Sequence, residues 1–192
     1  MKKISLLLFI FCFSHASFSQ KKKTTPKSTA NVIAKSDNVT AEIVKENLYL
    51  FISNKTSKDT IFIKKTEKNI PTVAKITPFT ASGTKLYLLT WTEKISTKTN
   101  LKTEDKTIIY SNVYDIVAKK EVFYNTQLTN NIVEKVFLDR NKTASETQTR
   151  TRKEGFEFTL NPDGTITQKT AKQLNKWKYD PVSSSFVDIK KK

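Results

Sequence analysis

Apolar positions along the chain fall in short runs broken by polar residues, and they are densest between residues 84 and 138. In the first of these runs Tyr87, Leu89 and Trp91 share one face of an extended segment, while Leu86 and Leu88 share the other. A strand that is apolar on both faces is normally covered on both, so this one is expected inside a sheet rather than at its edge. Residues 108–117 and 122–124 follow as strands around a hairpin turn at Ala118-Lys119-Lys120, and residues 132–138 form a further run after a polar break.

The same pattern recurs on both sides of this stretch. Residues 40–44 and 48–52 bracket Lys45-Glu46-Asn47 as a hairpin, and residues 60–63 form a third strand. Pro71 and Pro78 flank residues 72–76, which suits an edge strand, and Ser82-Gly83 turns the chain into the Thr84 strand. Asn161-Pro162-Asp163-Gly164 is a tight-turn sequence between residues 156–160 and 165–168. A last strand pair is expected at residues 174–179 and 186–189. Two stretches lack apolar periodicity. Residues 94–105 read as a long exposed loop, and residues 141–154 as at most one short helix, capped by Asn141 and closed by Gly155. The fold class expected is all-β, with antiparallel hairpin-connected strands in a sandwich, barrel or bent sheet.

Residues 1–19 have the form of a bacterial secretory signal peptide, with Lys2 and Lys3, an apolar run over 6–13, and Ser17 and Ser19 at the cleavage site. The apolar run is too short to span a bilayer, and no later stretch is longer, so no integral membrane span is expected. Residues 20–38 read as a disordered basic leader, leaving 39–192 as a single β-rich domain. The protein is therefore expected to be exported, to the periplasm, the cell envelope or the medium.

This reading restricts the chemistry. Cys12 and His15 are the chain's single cysteine and single histidine, and both lie in the signal segment. A mature chain without imidazole or thiol forms no disulfide, no His or Cys zinc site and no Ser-His or Cys-His nucleophile. Neither a metal nor another cofactor is expected. No Walker A loop or GxGxxG motif occurs, and the chain has 3 glycines in all.

The chain is basic, with 34 Lys+Arg against 18 Asp+Glu and a net charge of +16. That balance favours anionic polymers of the envelope, or an envelope protein, as partner; after export, nucleic acid is not the expected physiological one. Dispersed lysines also keep a Thr-rich β surface soluble and guard its edges, which accounts for the same composition without a ligand. Lys176-Trp177-Lys178-Tyr179 interleaves basic and aromatic residues and is the candidate ligand-binding segment. On a strand, however, its aromatics and lysines fall on opposite faces, which is equally the pattern of core against solvent.

Paired carboxylates are the one enzyme chemistry that needs neither His nor Cys. Glu93, Asp115, Glu121, Glu134 and Glu157 are the strand candidates, with Glu121 and Glu134 expected to face each other on neighbouring strands. Lys120 and Lys135 beside them make ordinary charge pairing a sufficient explanation. Asp139, Asn141 and Thr143 begin like a calcium loop, but Ala144 and Arg150 replace its glycine and its bidentate glutamate. Asn38, Asn54 and Asn141 begin matches to the glycosylation acceptor pattern, expected by chance in a Thr-rich exported chain. The expected function is an exported, non-catalytic binding or envelope-associated module. The alternatives are a carbohydrate-active hydrolase and a structural or assembly factor that pairs through strand edges.

Overall fold

The computed structural model describes residues 31–54, 56–66 and 69–189. The proposed signal peptide, the first part of the leader and the last three lysines lie outside the described residues. Within them the chain forms thirteen strands and no helix, arranged in three antiparallel sheets. The all-β expectation is met.

The first sheet contains β1 (Asn31–Ser36), β2 (Val39–Val44), β3 (Asn47–Ser53) and β4 (Lys58–Lys65), in that order. The second has five strands: β5 (Val73–Ala81), β6 (Thr84–Lys98), β7 (Lys102–Asp115), β8 (Lys120–Phe137) and β9 (Ser145–Gly155). The third is formed by β10 (Glu157–Leu160), β11 (Ile166–Lys169), β12 (Leu174–Asp180) and β13 (Ser185–Asp188). Each sheet is a simple meander, so neighbours in sequence are neighbours in space.

The second sheet is the middle layer, and β6 shows why. Its Tyr87, Leu89 and Trp91 join Val39, Ala41, Leu48 and Leu50 of the first sheet in one buried core. From its opposite face, Leu86 and Leu88 join Val113, Ile166, Tyr179 and Phe186 in a second core beneath the third sheet. The two apolar faces of one strand thus hold two sheets. β5, carrying Pro78, is an edge strand of this layer as its sequence suggests, though it extends to Ala81.

Three expectations are corrected. Residues 31–36, read as part of the leader, form β1; Ile33 and Ala34 pack on the first core, too few apolar residues to announce a strand alone. Residues 94–105 are not a loop, because β6 and β7 continue through them and turn only at residues 99–101. Residues 141–154 contain no helix, since β9 runs beside β8 from Ser145 to Gly155. Alternating Thr147, Thr149 and Thr151 suit a pleated strand better than a helix, and one residue such as Ala144 offers no helical face to bury.

Past Thr92, where pairing with β5 ends, β6 to β9 continue as a four-stranded arm. β9, at its edge, is exposed along all 11 residues. Among the described residues, no helix is long and apolar enough to cross a membrane.

Candidate functional site

Where the middle layer meets β4, the first core opens into a cleft of about 250 Å3 lined by Lys64, Trp91, Tyr110, Asn112, Glu121 and Tyr124. β6, β7 and β8 position these side chains by direct cross-strand register. Trp91 lies opposite Tyr110, and Asn112 opposite Tyr124. The Trp91 and Tyr110 rings stack with centroids 4.6 Å apart and planes 9° from parallel, forming one wall. Tyr124, 57% exposed, presents its ring to solvent.

A bulge in β8 sets the position of Glu121. Val113 pairs with Phe123 but Tyr114 with Glu121, so Val122 is the extra residue. In a regular strand Glu121 and Phe123 would share a face. The bulge separates them: Phe123 packs against Phe158, Trp177 and Phe186 on the second core, while Glu121 turns to the cleft beside Tyr124.

Two carboxylates serve this site in different ways. Glu93 lies beneath the lining, 1% exposed. Lys64 Nζ donates to both its oxygens at 2.8 and 3.0 Å, Trp91 Nε1 donates at 3.0 Å and the Tyr110 hydroxyl at 3.4 Å. Burial works against the Lys64 charge, but the hydrogen bond and the charge of Glu93 outweigh it and raise the ammonium above its usual range. The Tyr110 phenol is likewise raised, by burial first and then by Glu93, and so stays a donor.

Glu121 has no cation within salt-bridge distance among the described residues. Its Oε2 accepts from Asn112 Nδ2 at 2.7 Å and from the Tyr114 hydroxyl at 3.1 Å. Burial, reinforced by the charge of Glu121, pushes the Tyr114 phenol far above its ordinary range and keeps its proton in place. Because a carboxylate can only accept, the Asn112 amide must turn its nitrogen to Glu121. Its Oδ1 is then buried without a hydrogen-bond donor among the described residues. The cleft therefore offers the Glu121 carboxylate as acceptor and an exposed ring, with its one cation already engaged.

Lys176, Trp177, Lys178 and Tyr179 lie elsewhere, on β12. Tyr179 is 2% exposed in the second core and donates to Asp115 Oδ2 at 2.8 Å. Trp177 packs edge-on against Phe123 and donates to Gln168 Oε1 at 2.8 Å, while Gln168 donates to Asn125. Lys176 and Lys178 point to solvent. Lys178 and Tyr179 line a cleft of about 410 Å3 with Ser82, Asp163 and Thr165, but Tyr179 is buried and Trp177 half-buried against the second core, so the alternation follows core against solvent.

Glu121 and Glu134 do not face each other as expected. Both are on β8, thirteen positions apart, roughly 40 Å along an extended strand. Glu134 is held by Arg150 at 2.8 Å. Asp115 serves its own turn, accepting from the Val117 and Ala118 amides, and Glu157 is exposed. Asp139 accepts from the Thr143 hydroxyl and from the amides of Thr143 and Ala144, so the calcium-like stretch is a turn closed by its own backbone.

Sequence reasoning named Glu93 and Glu121 but not their neighbours. One signal was present: Trp91 and Glu93 stand two apart on β6, which puts a carboxylate on the face of a core tryptophan. A larger cleft, about 640 Å3, lies at the base of the arm between Gln127, Lys153, Glu157 and Lys172. Its walls are long charged side chains with no aromatic ring, so it lacks the features that fix a ligand's orientation. No protein-family model, curated protein or solved structure matches the chain.

Proposed function

We propose that the chain is an exported, non-catalytic binding module of the envelope, and that the cleft at Tyr124 takes one sugar unit of an anionic envelope polysaccharide. The observation that carries this reading is the exposed Tyr124 ring beside the Glu121 carboxylate, which has no cation partner among the described residues. A pyranose supplies the complement, with an apolar ring face for stacking and hydroxyl donors at its rim. A free organic cation would also suit acceptors and rings, but the net charge of +16 repels it at long range.

The same charge attracts an anionic polymer. Nine lysines and no acid lie in residues 1–30 and 190–192, so more than half of the net charge flanks the described fold. Seven of these lysines, Lys21, Lys22, Lys23, Lys27, Lys190, Lys191 and Lys192, stay with the chain after cleavage at the proposed site. Hydrolysis fits less well. It needs two carboxyl groups close enough to flank one glycosidic bond. Glu134 is thirteen positions along β8 from Glu121 and paired with Arg150, and both oxygens of Glu93 are engaged by Lys64, Trp91 and Tyr110.

Binding of purified lipopolysaccharide and other anionic glycans across a salt series tests the reading, with an unrelated basic protein of matched charge alongside. Affinity is expected to fall with salt. Tyr124→Ala should weaken binding about three- to tenfold at each salt concentration while leaving the salt slope unchanged. Elution together with the control protein would reduce the charge to a solubility device. Equal binding by Tyr124→Ala would remove the cleft from the reading.

A further inference from the structure

We infer that the open edge of β9 pairs with β9 of a second copy of this chain, antiparallel about a two-fold axis at Thr149. β9 ends the middle sheet, and all its residues are exposed. The backbone shows which groups are free. Leu138 N donates to Ala144 O at 3.0 Å, extending by one position the register that pairs Phe137 with Ser145. Even-numbered residues of β9 therefore direct N–H and C=O toward β8, and Ser145, Thr147, Thr149, Thr151 and Lys153 direct theirs outward. Such a row is a template for another strand.

Charged side chains on an edge normally discourage pairing, and here their order selects one register. With the axis at Thr149, Glu146 meets Arg152 of the other copy, and Gln148 meets Arg150, each pair occurring twice. On the other face Thr147 meets Thr151, and Thr149 meets itself. Opposite charges and threonine pairs are the favourable cross-strand combinations. Moving the axis to Arg150 sets Arg150 against itself and Glu146 against Glu154. Moving it to Gln148 sets Glu146 against Arg150, which Glu134 already holds, and leaves Arg152 opposite Ala144. Glu146 and Arg152 make no ion pair within the chain among the described residues; Glu146 Oε1 accepts from Gln148 Nε2, which leaves Oε2 and the carboxylate charge to a partner. The result is a closed dimer in which the two arms form one eight-stranded sheet.

Sedimentation velocity on the full chain at rising concentration tests this, with three proteins compared. The wild type should show a concentration-dependent dimer. Arg152→Glu, which places like charges opposite each other twice, should weaken dimerisation about tenfold. Glu146→Arg/Arg152→Glu exchanges the charges and should restore it. Both positions are exposed, and an unchanged far-ultraviolet dichroism spectrum verifies that the variants fold. Wild type that stays monomeric up to about 1 mM overturns the inference. So does Arg152→Glu dimerising like wild type, or a double variant that fails to recover.

Discussion

The Lys64–Glu93 pair is an asymmetric one, because the Glu93 side chain is 2% exposed and that of Lys64 30%. Removing Lys64 leaves a carboxylate in the core with two neutral donors, Trp91 and Tyr110. Removing Glu93 leaves an ammonium that can swing into water. Lys64→Met is therefore expected to cost about 3 kcal/mol, the lower end for breaking a buried pair. Glu93→Met should cost about 1–2 kcal/mol, chiefly for the unsatisfied Trp91 N–H. The double variant should be more stable than Lys64→Met alone, since an apolar pair leaves no stranded charge. Urea unfolding of the three variants checks the order, and equal losses in both single variants would mean that burial is not what distinguishes the partners. At this scale the sequence was partly legible. Glu93 was visible as a carboxylate on a strand, but its partner lies 29 positions away on another sheet. Glu121 was visible too, though the bulge that turns it toward the cleft leaves no mark in an alternating pattern.

Elements were legible wherever a strand has one wet face and one dry face. The hairpins at residues 45–46, 82–83 and 161–164 stand as expected, because each joins strands that cover a core. The arm was not legible. Its strands have no fully dry face, so residues 94–105 of β6 and β7 read as loop, and residues 141–154 as at most one short helix. What fixes them is register with a neighbour, which a single strand's sequence does not encode. The Asn161–Gly164 turn also does more than reverse the chain. Gly164 has a φ of 79°, and a Cβ there would stand 2.3 Å from Thr80 O and 2.8 Å from Ala81 Cα. The turn thus seats the third sheet directly on the β5–β6 hairpin. Gly83, at a similar φ of 80°, has nothing within 4 Å of such a Cβ. Gly83→Ala should therefore cost about 1 kcal/mol, for the left-handed backbone alone. Gly164→Ala should cost clearly more, about 2–3 kcal/mol, because backbone must also move. Thermal denaturation of both resolves the difference, and similar losses would show that this contact yields easily.

At the scale of the whole molecule, three sheets share one pair of cores, and the link between them is β6 itself. Neither flanking sheet has a second layer of its own. The first covers its apolar face with Tyr87, Leu89 and Trp91, and the third with Leu86, Leu88 and Val113. Loss of either core exposes one face of the same strand, so the two cannot fail independently. All three sheets are expected to unfold in a single transition. The chain contains two tryptophans and places one beside each core: Trp91 is buried in the first, and Trp177 packs against the second. Trp177→Phe leaves fluorescence reporting the first core, and Trp91→Phe leaves it reporting the second. Each variant is followed in urea by fluorescence and by far-ultraviolet dichroism, so that its own loss of stability cancels in the comparison. Coincident curves within both variants would establish one cooperative unit. If fluorescence and dichroism separate in either, one sheet comes away while the rest stays folded. The arrangement would then be two units hinged on β6, and the cleft would belong to the unit built on the first core alone.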